Sequence, residues 1–374
     1  MKVSAFILLL LVNFIISAQN IDFSKIDSLV KEEEVNSALL LLDSLNNKYP
    51  DNIEILSKLG DVYYMLNMLN DSEFFYSKAL EKERKNSAAL IGLAKIKFLQ
   101  GKIGESENIL KLVLDENEKS IAPFALMGKI SMMRNNLEKA KYYFNKVLQI
   151  DSTEVESLTS LGLIFQTFGK PALAEKYLKR AVKFNPRDQI ARMNLGVFFG
   201  TIGRNHEAII ELNKAVKLDP SNPKAYVNLG ISYLGNKIFP EAAKNFLKAI
   251  QMDKLDPEPY FYLFLIEFEK KNFDEALKRA EILSMMADNY PQLHLILANI
   301  FFMRNDINRA IEESKKEIDY HPDEREAYYL LAGLYKYSGS ENQFNRIIKT
   351  IYSKFGVMPD SFEVNNMTRF NNIK

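Results

Sequence analysis

Few residues in this chain have the type and spacing to do chemistry. Its 374 residues include no cysteine, which removes thiolate metal sites, cysteine nucleophiles and disulfides. Histidine occurs three times, at His206, His294 and His321, with no short metal-binding spacing among them. There is no glycine-rich phosphate loop and no catalytic triad arrangement. No cofactor or metal site is expected, and the chain reads as non-catalytic. What remains is the chemistry of recognition. Asn194 and Asn228 stand at equivalent places of two similar segments, and each amide both donates and accepts hydrogen bonds. Beside them run large apolar residues at helical spacing. The two N-x-S/T triplets, starting at Asn70 and Asn366, are short patterns with a high false-positive rate.

Charge narrows the partner. Lysine plus arginine number 49 and acids 48, leaving a net charge of +1. A nucleic-acid binder draws its affinity from a basic surface, so none is expected here. The composition, 47% hydrophobic and 26% charged, is that of a globular protein. At the N-terminus "MKVSAFILLLLVNFIISAQN" has a charged start, a short apolar core and small residues Ser17 and Ala18 before Gln19. That is a secretory signal pattern, with cleavage near Ala18 and a periplasmic or secreted mature chain. The apolar run falls short of the roughly 20 residues of a membrane span, so no stable insertion of the mature chain is expected. An uncleaved N-terminal membrane anchor is the alternative.

The elements that position these residues follow from a repeat. "NLGVFFGTIGRNHEAIIELNKAVKLDPSNP" at 194–223 aligns with "NLGISYLGNKIFPEAAKNFLKAIQMDKLDP" at 228–257, at an offset of 34. Gly128, Gly162, Gly196 and Gly230 keep that spacing, as do Ala140, Ala174, Ala208, Ala242, Ala276 and Ala310. Extended both ways, the frame gives ten units, from 19–52 through 325–358, with a polar tail at 359–374. Each unit holds two apolar-periodic segments, and prolines such as Pro186 and Pro220 end the second. One helix pair cannot bury its apolar stripe alone, so neighbours must stack.

In 223–256 the pattern stands as Tyr226, Leu229, Gly230, Tyr233, Ala242, Phe246 and Ala249; in 189–222 as Leu195, Gly196, Phe199, Ala208, Leu212, Ala215 and Pro220. It resembles the tetratricopeptide repeat family over nearly the whole mature chain. The resemblance implies an all-α, right-handed superhelical solenoid whose first helices line a concave groove. It also implies a protein or peptide partner in that groove, with asparagines such as Asn194 and Asn228 holding its backbone. The lysine–asparagine clamp of chaperone-binding members is absent, its positions holding residues such as Thr159, Leu163, Met193 and Val197. Departures gather at the ends: Asp22 and Lys25 in the first unit, Ser314 and Glu317 in the ninth, Phe344 in the last. Polar terminal repeats suit the exposed ends of a stacked array.

Along the implied groove the middle position runs Asp61, Lys95, Lys129, then Leu163, Val197, Ile231, Leu265. The wall is charged at first and apolar from about the fifth unit. Either the superhelix buries its own inner wall, or Met193, Asn194, Val197, Val227, Asn228, Ile231, Phe261, Tyr262, Leu265 and Ile266 dock a partner helix or extended segment. The stretch "PYFYLFLIEFEKK" at 259–271 is apolar on every side, and its strict frame sets Phe264 at the small-residue position and Glu267 at an aromatic one. A one-residue slip removes both misfits and makes Phe261, Phe264, Leu265 and Phe268 the core set, with a shorter turn to follow. Repeats eight and nine then form a contact patch in which His294 packs half-buried against an aromatic. The function expected is a non-catalytic interaction scaffold of the cell envelope. The alternatives are a self-assembling homodimer and a scaffold for envelope secretion or polysaccharide export.

Overall fold

The computed structural model describes residues 21–117 and 119–356. The signal pattern at 1–18 and the tail at 359–374 lie outside them. Within the described residues there are twenty α-helices and no strand. They divide between two compact units, one running to Phe184 and one from Asn185.

The first unit holds five helix pairs. These are α1 (Ser24–Lys31) with α2 (Val35–Lys48), α3 (Ile53–Met65) with α4 (Leu69–Lys82), and α5 (Ser87–Leu99) with α6 (Ile103–Glu116). They continue with α7 (Ile121–Met133) and α8 (Leu137–Ile150), then α9 (Val155–Thr167) and α10 (Pro171–Phe184). The second unit holds five more. It begins with α11 (Gln189–Thr201) and α12 (Asn205–Leu218), then α13 (Pro223–Gly235) and α14 (Phe239–Met252). It continues with α15 (Glu258–Glu269) and α16 (Phe273–Ala287), α17 (Leu293–Met303) and α18 (Ile307–Tyr320), and α19 (Arg325–Tyr337) and α20 (Glu341–Phe355). Odd-numbered helices are the first of each repeat.

Local chemistry sets this frame. Second helices begin at a constant interval, from Val35, Leu69 and Ile103 through to Glu341. The turn before each contains one left-handed residue, at 33, 67, 101, 135, 169, 203, 237, 271, 305 and 339. Gly101, Gly169, Gly203 and Gly339 adopt that conformation without a Cβ clash, and Asn67, Asn135 and Asn305 tolerate it. First helices start on caps in the same frame: Asn52, Asn86 and Asp188 each accept a backbone N–H three residues on, at 3.0, 3.1 and 2.8 Å.

Within a repeat a small residue meets a large one. A Cβ on Gly230 would lie 2.6 Å from Phe246, and one on Gly128 2.7 Å from Phe144. Two serines on the alanine series are buried because they find partners: Ser72 and Ser106 donate to the carbonyls of Gly60 and Ala94 at 2.7 and 2.8 Å. Since Ser72 is so engaged, the triplet beginning at Asn70 offers no accessible hydroxyl.

Repeat eight corrects the expected slip. α15 starts one residue late, yet it ends in frame, and the turn keeps its length with Lys271 left-handed on schedule. Phe264 stays at the small-residue position and is fully buried. Room comes from the second helix, where Ala280 stands in the frame of Phe246 and joins the same core cluster as Phe264. Phe261 and Phe268 also enter that cluster, with Leu265 packed against it, so the core set is close to the one expected. Glu267 is nearly buried and keeps its charge paired: Lys270 and Asn272, in the turn, both donate to it at 3.0 Å.

Repeat nine carries a second correction. Ser314 and Glu317 do not form a polar exposed end; both are buried. Ser314 donates to the Ala310 carbonyl at 2.8 Å. The Glu317 carboxylate accepts from the backbone N–H groups of Gln292, His294 and Leu295 at 3.0, 3.1 and 3.2 Å. It caps α17, which lacks the side-chain cap that several other first helices have. At the first repeat the expectation stands, with Asp22 and Lys25 exposed and α1 only 8 residues long.

Candidate partner-binding face

The residues singled out above lie on α11, α13 and α15, all within the second unit. The structure sorts them into two groups. Val227 and Ile266 are each 2% exposed and pack with Ala242, Phe246 and Leu263. Phe261, 7% exposed, packs with Phe264, Ala280 and Leu293, its ring 4.8 Å from that of Tyr290. These three build the wall from behind. Met193, Asn194, Val197, Asn228, Ile231, Tyr262 and Leu265 are half-buried and present surface.

Spacing explains the sorting. On each helix the residues one turn apart, such as Asn228 with Ile231, share a face, while Val227 points toward the neighbouring pair. Tyr262 lies flat on Phe246, rings 5.1 Å apart and 10° from parallel. Burial pushes its hydroxyl pKa up, and the nearby Glu258 carboxylate adds to this. At neutral pH Tyr262 is therefore a hydrogen-bond donor. Neither Asn194 nor Asn228 has a side-chain hydrogen bond among the described residues; the Asn228 carbonyl accepts from Ser232 at 3.0 Å. Two half-buried amides thus have no protein partner for their side chains among the described residues.

In the first unit the same helix positions are engaged internally. Asp61 accepts from the Tyr76 hydroxyl at 2.6 Å, Lys129 pairs with Glu156 at 2.6 Å, and Lys95 lies 5.9 Å from the Tyr64 ring centroid. One apolar row escaped the sequence reading. Met65, Leu99 and Met133, the last residues of α3, α5 and α7, are 52%, 51% and 59% exposed. Their regular spacing was available in the sequence, but a helix-end position does not announce which way it points.

His294 is 2% exposed rather than half-buried, and its ring packs on Tyr320 at 5.5 Å. Its two ring nitrogens lie against the Glu313 carboxylate and the Asp288 backbone carbonyl. No group of three or more histidine, aspartate or glutamate side chains placed to hold a metal occurs among the described residues. Nor, among them, is any helix long and apolar enough to cross a membrane.

Comparison with known proteins bears on this geometry. Residues 155–188 match the family described as tetratricopeptide repeat, and residues 201–237 one described as TPR repeat. No curated protein matches the sequence. Among solved structures, a chain of the APC/C hetero-tetramer Cut9–Hcn1 superposes with a TM-score of 0.58 at 18% identity. The match covers 81% of this chain and 59% of that one. PilF of Pseudomonas aeruginosa is similar at 20% identity and a TM-score of 0.49, covering 59% of this chain and 97% of its own. A tetratricopeptide repeat protein from Parabacteroides merdae is similar at 22% identity and a TM-score of 0.47, covering 62% and 91%. The Cut9–Hcn1 likeness carries the fold across most of the chain, and the sequence matches fall on one whole repeat and on parts of the next two. The chain thus carries tetratricopeptide repeat matches at 155–188 and 201–237, and its described residues have the all-α fold of paired helices that such repeats build.

Proposed function

We propose that the chain is a non-catalytic scaffold of the cell envelope that holds a helix or extended segment of another protein against α11, α13 and α15. The observation that carries this is the pair of half-buried amides, Asn194 and Asn228, with no side-chain hydrogen bond among the described residues. A bound backbone offers donors and acceptors in alternation, and an amide matches both. Met193, Val197, Ile231 and Leu265 flank them and supply apolar contact for the partner's side chains. Export rests on the N-terminal pattern ending at Ala18 and is tested by sequencing the N-terminus of protein recovered from cell fractions. A mature chain beginning at Gln19 supports it; an intact Met1 overturns it.

The binding test is a pull-down from envelope extract with residues 19–374, beside a variant carrying Met193→Glu and Ile231→Glu. Both positions are half-buried, so the variant is expected to fold, as circular dichroism would check. A partner retained by the native chain and lost by the variant is the expected result. Equal retention by both overturns the assignment of the site.

A further inference from the structure

Repeats eight and nine share an apolar core, to which ionic contacts around His294 are added. α16 ends at Ala287 and α17 begins only at Leu293, after Gln292 in the left-handed region at φ 67°. His294 stands in the first turn of α17. Its Nδ1 lies 2.5 Å from Glu313 Oε2 on α18, and its Nε2 lies 2.8 Å from the Asp288 carbonyl oxygen at the end of α16. A carbonyl can only accept. Glu313 also accepts from Lys316 at 3.0 Å; although burial pushes its pKa up, His294 and Lys316 bring it below the ordinary value and keep it ionised. A neutral imidazole has one N–H, and would point a lone pair at one of these two oxygens. Only the imidazolium satisfies both.

We infer that the His294 imidazolium is a pH-sensitive clasp between repeats eight and nine, closed while it holds both protons and loosened when one leaves. The charges around it come from every neighbouring element. From the end of α16, the Asp288 carboxylate lies 3.4 Å from Nε2 and is itself held by the hydroxyls of Ser284 and Tyr320. From α18 come Glu313, Lys316 and the buried Glu317 carboxylate on the α17 N-terminus. His321 fixes the Asn289 carbonyl at 2.9 Å on the outer side. Glu324, the residue before α19, faces Glu317; a hydrogen bond shared with Glu326, then burial, pushes its carboxyl up to about 7. Burial lowers the His294 pKa, but the Glu313 and Asp288 contacts outweigh it and leave it raised. The sign follows. A histidine whose folded pKa is raised contributes stability that is complete below its unfolded value of about 6.5 and is lost as pH rises through the folded one.

The test is nuclear magnetic resonance of the histidine rings in residues 19–374, with hydrogen exchange of the amides at 292–296. His294→Gln assigns its signal among the three. The expected result is a midpoint above 6.5, both ring nitrogens protonated below it, and local opening that grows with pH after correction for intrinsic exchange. Each unit of elevation corresponds to about a tenfold change in that opening. Glu313→Gln is expected to lower the midpoint, and Glu324→Gln to leave the opening step in place. A midpoint at or below 6.5, a single ring N–H at pH 6, or opening that vanishes in Glu324→Gln overturns the inference. Should His294→Gln fail to fold, the native chain's own titration still decides.

Discussion

Repeats seven and eight occupy adjacent places in one unit and solve the same packing problem in opposite ways. In repeat seven the first helix carries Gly230 and the second Phe246; in repeat eight Phe264 and Ala280 stand in those places. The large ring has moved from one helix to the other, and the filled volume between the helices is kept. Native interiors are close-packed, so the quantity under constraint is the sum across the pair and not the residue at either place. The aromatic position changes as well. Tyr233 of repeat seven is replaced by Glu267, whose charge is answered from its own turn by Lys270 and Asn272. Repeat eight thus keeps the backbone frame of the family pattern while exchanging its side chains.

Substitutions at five positions sharpen or break this reading. Phe264→Ala should cost the most, about 3–5 kcal/mol, because Ala280 opposite cannot fill the cavity. Denaturation followed by circular dichroism would read it as an earlier loss of helix; a cost under about 1 kcal/mol would mean that the helices close up without the ring. Ala280→Phe alone should destabilise by about 1–3 kcal/mol through overpacking. Combined with Phe264→Gly it recreates the arrangement of repeat seven, and the double variant should recover most of the summed loss. Contacting residues typically couple by about 0.5–3 kcal/mol, so strictly additive costs would break the comparison. Asn272→Ala should cost about 1 kcal/mol, by removing a hydrogen bond to the Glu267 carboxylate that repeat seven does not need. An effect of similar size and opposite sign concerns what the two repeats share. Lys237 and Lys271 are left-handed at φ 58° and 59°, and replacing either by glycine should raise stability by about 1 kcal/mol, seen as a higher denaturation midpoint.

Much of the fold was legible in the sequence because its signals are local. The repeat frame and the stops at Pro186 and Pro220 are written within a few residues of where they act. What escaped was compensation at a distance. Phe264 reads as a misfit until Ala280 is set beside it, and the two are separated by a turn and half a helix. Glu317 reads as solvated surface until the delayed start of α17 leaves backbone N–H groups for it to cap. On the candidate face, periodicity could not separate Val227, which is closed into the core, from Ile231, which is half-buried. Both are apolar and share a helix, and only the position of the neighbouring pair tells them apart.

The left-handed turn residues recur at one fixed interval from Glu33 to Gly339, without a single insertion. That regularity has a genetic meaning. When coding segments misalign by one whole period during recombination, every junction falls between residues that already occupy equivalent places, wherever the crossover occurs. The product gains or loses one helix pair and keeps each remaining turn where its backbone needs it. A chain built this way can change its length in a single event, while a misalignment of any other length would place its error in the one repeat at the junction.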